Sequence, residues 1–514
     1  MNTSLQVEAM TVKVNLLTLT ATELQELLTE GAITSTRIVE LYLDQIAKHN
    51  HNGFKLNAIL ATPDRPSVLR RAQRLDDERA QGRIRGPLHG VPIILKQGSP
   101  KVDANLIGTL NDAGLIIIAK ANLSVSPDST WVFESLIFEI LTGRQELGNS
   151  KGDRLMAGWS AVGGQTKNPH VEGDIPADAP FLTSWGPAGS SSGSATAVAA
   201  GFSPISLGTE LEGSIIWPAA RAGLYAVKLT PGSVDQTGFQ PGATGFDCQG
   251  PYGKTTADVA ILSAILQLHD PSHYLPLPNS WDGLKVGVVD PTLWRTPSHV
   301  VEDIEGFLAQ TDSALHAAEE KIQEFGGKVV KSVPLDTWGK ISSSMPDLDD
   351  MGDLFTYQMK VLWPDFLALW DGIPQTIEEL IEWNEAHADL EFTARNNNQK
   401  AIEAMRDCTM TEDEYERNAS ALRKAARAAV QRVLEDYGVD LILAPSDSRL
   451  ISVGAAAGYP VGNLPLGYAD FNGRGFSLHA IAPAGEEKKI LQVMAAWEAT
   501  FPDNVRPPRM LAED

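Results

Sequence analysis

Short, uninterrupted apolar runs recur along this chain, separated by stretches with helical spacing, and they limit its fold more than any other feature. VPIIL (91–95), LIIIA (115–119) and DLILA (440–444) are rich in Ile, Leu and Val, and Pro445 stops the last of them. Runs this short and continuous fit strands buried on both faces; a half-exposed strand would alternate, and a buried helix would be longer. LKVGVVD (284–290), a helical stretch over 301–325 and KVVKSV (328–333) form a strand–helix–strand pattern, with Gly326 and Gly327 at the helix exit. Near the start, Thr20 and Glu23 make a capping box ahead of LQELLTE, and Gly31 is the stop. STRIVELYLDQIAKHN then sets Ile38, Leu41, Tyr42, Ile46 and Ala47 on one helix face. Helices alternating with apolar strands over the whole length predict a layered α/β fold with a mostly parallel or mixed sheet.

Composition narrows the partners. The chain has 514 residues and a formal net charge of −23, which disfavours nucleic acid and anionic membrane surfaces because both need a cationic face. Cys248 and Cys408 stand far apart and outside any metal-ligand spacing, so a reducing compartment is expected. The first residues show no basic start followed by an apolar run, and no apolar stretch is long enough to span a bilayer. The expectation is a soluble cytoplasmic protein. His49 and His51 read as a solvated helix end, and DLDDMGD (347–353) as an acidic turn without the length of a calcium loop. His89 reads as a turn or packing residue, and Cys248 as a small buried apolar one.

Chemistry concentrates in GSSSGSATAVAAGFSPISLGTELEGSIIWPAA (189–220), where Ser190 and Ser214 sit in two glycine-flanked clusters. Upstream, GPLHGVPIILKQ (86–97) delivers Lys96 at the end of an apolar run. Acyl transfer needs a nucleophile, a proton acceptor and donors for the developing oxyanion. Ser214 preceded by Gly213 can supply the first and third, because a small residue lets successive N–H groups face one side. Ser190 is then a candidate relay and Lys96 a candidate base. A lysine serves as a base only when neutral, and burial disfavours the ammonium form.

These segments, with GWSAVGGQTKNP (158–169), GPYGKTTADVA (250–260), GYPVGNLPLGY (458–468) and GEEKKILQVMAAWE (485–498), resemble the amidase signature family, in wording nearest to stand-alone fungal-type amidases. The resemblance runs from about Thr20 to Phe501. It implies a single domain over 1–514 in which a large mixed β-sheet is sandwiched between α-helices. Within it we expect N-terminal helices over 1–60, a catalytic core over 85–270, an insertion at 124–149 and a peripheral helical region over 347–436. The resemblance also implies a Ser–cis-Ser–Lys triad. Ser214 would be the acylated nucleophile, Ser190 the bridging serine reached through a cis peptide, and Lys96 the base. Backbone N–H groups of Leu211, Glu212, Gly213 and Ser214 would line the oxyanion hole. The implied activity is hydrolysis of a linear carboxylic amide through an acyl-enzyme, with a small-molecule substrate and no metal or organic cofactor. Trp131, Phe133 and Trp217 suggest an aryl or aliphatic acyl group.

The chain departs from the pattern at Gln97, Glu210 and Glu212, where Asp, Asp and Gly are usual. It also reaches the strand after Lys96 early and adds residues 124–149, which together are what a skipped exon and a translated intron would leave. If the short segment left Lys96 exposed and charged, the protein would be a silent binding or scaffold subunit. Retention of Lys96, Ser190 and Ser214 together argues against that. An amidotransferase A subunit would share the fold, but the large negative charge disfavours it. A nucleophile-elbow reading of GSSSG, with Ser191 attacking and His479 as base, needs a preceding strand that TSWGPA does not supply.

Overall fold

The apolar runs pair into one eleven-stranded sheet in the computed structural model, which describes residues 13–96, 105–122, 157–176, 179–180, 182–369, 372–392 and 398–513. In chain order the strands are β1 (Ile59–Ala61), β2 (Pro92–Leu95), β3 (Ile116–Ala121), β4 (Trp159–Ser160), β5 (Gly164–Gln165), β6 (Ile205–Glu210) and β7 (Tyr225–Lys228). They continue with β8 (Cys248–Gly253), β9 (Lys285–Val288), β10 (Lys328–Val330), β11 (Leu441–Pro445), β12 (Val461–Tyr468) and β13 (Gly475–Ile481). The large sheet runs β1-β3-β2-β6-β8-β7-β12-β13-β11-β9-β10, and β4 and β5 form a separate hairpin. Pairing is parallel at β3–β2–β6 and at β11–β9–β10, and antiparallel through the centre from β6 to β11. The sheet is therefore mixed.

Alternation along single strands shows that both faces are covered. Leu441 and Leu443 of β11 enter one apolar cluster while Ile442 and Ala444 enter another. Tyr225 and Val227 of β7 likewise oppose Ala226. Helices Ala21–Thr29, Ser35–His49, Thr256–Leu266 and Glu487–Thr500 cover the first face. Helices Ile216–Ala222, Gly352–Leu367, Glu412–Tyr437 and Leu450–Ala457 cover the second. Successive strand side chains point to opposite faces, so a sheet with helices on both sides demands apolar residues at every position. That is why the runs read as continuous.

Local detail follows the sequence closely at the start of the chain. Both halves of the capping box form: Glu23 N–H donates to Thr20 Oγ1 at 3.0 Å, and Thr20 N–H to Glu23 Oε2 at 3.0 Å. The next helix differs from expectation. Its buried stripe is Ile38, Val39, Tyr42, Leu43 and Ile46, while Leu41 is half-buried and Ala47 exposed. The helix packs along Arg65–Ala80, which draws the stripe round by a residue. His49 is also buried, stacked on Phe54 with ring centroids 5.1 Å apart, so only His51 is solvated. No helix among the described residues is long and apolar enough to cross a membrane.

Candidate active site

Two neighbouring parallel strands place the lysine. Leu95 of β2 pairs with Leu207 of β6, so Lys96 emerges beside Gly208 and Thr209, and its backbone N–H donates to the Leu207 carbonyl at 3.2 Å. The side chain is 1 % exposed. Its Nζ lies 2.7 Å from Ser190 Oγ, 2.8 Å from Thr209 Oγ1 and 3.3 Å from the Thr209 carbonyl oxygen. An amine held dry against two hydroxyls is the arrangement that a lysine base requires. The short segment after Lys96 therefore does not leave the amine exposed. Residues 97–104 and 124–149, with Trp131 and Phe133, lie outside the described residues.

Ser190 arrives through consecutive left-handed residues, Ala188 (φ 55°) and Gly189 (φ 57°). The cis peptide implied by the resemblance is absent here: among the described residues the cis bond is Leu275–Pro276, and this left-handed pair makes the turn into Ser190 instead. Helix Ser192–Ala199 follows and is stitched to β6, with Ser194 Oγ donating to Leu207 O at 2.7 Å and Ser206 Oγ donating to Ser194 O at 2.8 Å. Ser191 completes the seam. Its hydroxyl donates to Thr209 O at 3.1 Å and accepts from Thr209 N–H at 3.3 Å. That hydroxyl is a structural fastener, and among the described residues no strand leads directly into GSSSG, so the nucleophile-elbow reading fails. His479 is fully buried on β13, pushed down to about 3 by burial, and neither ring nitrogen has a hydrogen-bond partner among the described residues.

Ser214 lies half-buried in the turn between β6 and helix Ile216–Ala222. The two serine clusters touch: Ser191 N–H donates to Ser214 O at 3.0 Å, and a Cβ built on Gly189 would lie 3.2 Å from Gly213 O. Glu210 organises the turn from one end, its Oε2 accepting from Ile215 N–H at 2.6 Å and Ile216 N–H at 2.9 Å. Lys228, at the end of β7, organises the other end by donating to the Leu211 carbonyl. Burial holds the Lys228 ammonium below the ordinary lysine value. Gly213 adopts φ 82°, and among the described residues no acceptor takes the backbone N–H groups of Leu211, Glu212, Gly213 or Ser214. Successive unsatisfied N–H groups in a glycine turn form an anion-binding concavity.

Glu212 does not spoil it. Ser452 Oγ donates to Glu212 Oε1, and the Arg449 guanidinium stands 3.9 Å from the same oxygen. Burial pushes this carboxyl up to about 7. Trp217 is 1 % exposed and packs behind Gly213, so it is core. His89 is a packing residue, its Nε2 lying 3.0 Å from Leu75 O, and Cys248 is fully buried. Asp347 is held by Arg417 and Asn418. No group of His, Cys, Asp and Glu among the described residues is arranged to hold a metal.

Thr209 and Lys228 were not singled out from the sequence. GTELEGS does carry the Thr209 hydroxyl just ahead of the second serine cluster, but which strand flanks Lys96 is a matter of sheet order.

A model of the family described as Amidase matches residues 158–455, more than half of the chain. The chain belongs to the amidase family. A Schizosaccharomyces pombe protein named as an amidase is 26 % identical, over 95 % of this chain and 86 % of that one. An Arabidopsis thaliana protein so named is 26 % identical over 94 % and 90 %. Among solved structures, the native peptide amidase of Stenotrophomonas maltophilia superposes with a TM-score of 0.77 at 27 % identity, covering 95 % of this chain and 98 % of that one. The mixed helix-covered sheet is thus the amidase signature fold, and the family-level chemistry is hydrolysis of carbon–nitrogen bonds.

Proposed function

We propose that this amidase cleaves a linear carboxylic amide through an acyl-enzyme on Ser214, with Ser190 as relay and Lys96 as base. Lys96 accepts the Ser190 hydroxyl proton as Ser190 accepts that of Ser214. The freed Ser214 oxygen attacks the substrate carbonyl carbon, and the carbonyl π pair moves onto oxygen. Backbone N–H groups of Leu211, Glu212, Gly213 and Ser214 stabilise that charge, a contribution on the order of 3–4 kcal/mol for one well-placed donor. When the tetrahedral adduct collapses, Ser190 passes its proton to the leaving amine and is reprotonated from Lys96. Water, deprotonated through the same relay, then attacks the ester and releases the acid.

The observation that carries this reading is the 2.7 Å contact between Ser190 Oγ and an amine only 1 % exposed. A silent scaffold would tolerate a solvated lysine, so the burial supports an enzyme. Because a peptide amidase shares the architecture over nearly the full length, peptide amides are the first substrates to try. The test is a fluorophosphonate probe. Wild-type protein should be labelled at Ser214, and Ser214→Ala should not be labelled at all. Lys96→Ala should fold yet lose labelling at neutral pH, and normal turnover in that variant would refute the base assignment.

A further inference from the structure

The second buried lysine has no place in the proton path, yet it touches the machinery. Lys228 is 0 % exposed, ends β7, and donates to the carbonyl of Leu211, the first residue of the turn that carries Ser214. A peptide unit is planar, so anchoring the Leu211 C=O fixes the direction of the Glu212 N–H on the opposite side of the same unit. A cation on the carbonyl oxygen also polarises the amide and strengthens that N–H as a donor. The other end of the turn is anchored by the Glu210 carboxylate on the Ile215 and Ile216 N–H groups. Between these two anchors lie the four N–H groups for which no acceptor is present among the described residues. The ammonium is fully buried, with Glu210, Cys248, Asp247 and Glu212 in electrostatic reach. An ammonium there costs desolvation, which a purely packing role does not explain.

We propose that Lys228 is a positioning residue for the oxyanion hole, acting through the Leu211–Glu212 peptide unit. The proposal rests on the reading of Ser214 as nucleophile and adds a residue that neither donates to nor accepts from the proton path. The test measures fluorophosphonate labelling under saturating conditions, which separates the limiting rate constant from the half-saturating probe concentration. In folded Lys228→Met the limiting rate constant should fall about 100-fold, the loss typical of one oxyanion donor, with half-saturation moving less than about threefold. Lys228→Gln, which keeps a donor without the charge, should fall in between, and it carries the comparison if the Met variant does not fold. A variant whose limiting rate constant stays within about threefold of wild type, or whose loss lies wholly in half-saturation, overturns the proposal. Absence of Ser214 labelling in the wild-type chain would instead overturn the nucleophile reading, so the two failures are distinguishable.

Discussion

Gly213 sits at φ 82° with the Trp217 indole behind it, where an added Cβ would lie 2.3 Å from Cε3. Left-handed backbone costs a non-glycine residue about 1–2 kcal/mol, and the clash adds to it. Gly213→Ala should therefore twist the turn, reducing phosphonylation at Ser214 by about 100-fold or more. Labelling near the wild-type rate would show that the turn's geometry is not what activates Ser214. At this scale the sequence was most legible where glycine flanks a polar group. Ser190, Ser214 and Lys96 stand out because small residues and apolar runs frame them. Thr209 and Lys228 do not, since each reaches its partner across strands: Thr209 is 113 positions from Lys96, and Lys228 reaches Leu211 over 17. The Glu210 and Glu212 departures proved to be structural, one anchoring the turn and the other bonded to Ser452.

Elements meet the site through that second carboxyl. Glu212 joins the turn that carries Ser214 to helix Leu450–Ala457, and its folded value of about 7 lies above the ordinary carboxyl value of 4.5. The folded protein holds this proton more tightly than the unfolded chain does. Its contribution to stability is complete below the ordinary value and fades as pH rises towards neutrality. The full difference is about 3 kcal/mol. Glu212→Gln keeps an acceptor for Ser452 without the charge, so its stability should be flatter between about pH 5 and pH 8 and exceed wild type at the upper end. Denaturant midpoints across that range would decide it, and a pH dependence identical to wild type would contradict it. The same scale shows which strands could be read in advance. β2, β3, β9 and β11 announced themselves as apolar runs. β8 (CQGPYG) and β12 (VGNLPLGY) did not, because glycine, proline and polar residues interrupt them. At Gly250 the reason is contact: a Cβ there would lie 1.9 Å from the Val227 carbonyl oxygen on the adjacent strand.

Across the molecule, one ion-pair node links the helix that follows Ser214 to the far half of the sheet. Arg221, in helix Ile216–Ala222, donates to Asp447 Oδ1 at 2.8 Å, and Arg474 donates to Asp447 Oδ2 at 2.7 Å. Burial alone would raise the Asp447 carboxyl, but the two guanidinium groups outweigh it and hold the group well below the carboxylate range. Its stabilisation is present above the ordinary carboxylate value and is lost as pH falls through the lowered one. Asp447→Asn leaves two arginines buried without their anion, and should cost about 3–5 kcal/mol. The variant should also lack the wild-type loss of stability in strong acid. An unchanged denaturant midpoint would mean that the node contributes nothing net.

Lys96 and Ser190 stand 94 positions apart, and that separation has a further consequence. What brings these groups together is the side-by-side lie of β2 and β6, with the helix after Ser190 stitched to β6, so the loops of the connecting peptide behave like a hem that can be let out or taken in. Swapping its loops between relatives, with β3 and the Ala188–Gly189 turn kept, should change which amides are admitted while leaving labelling at Ser214 near the wild-type rate. New substrate preferences can therefore arise in this architecture without chemistry having to be reinvented.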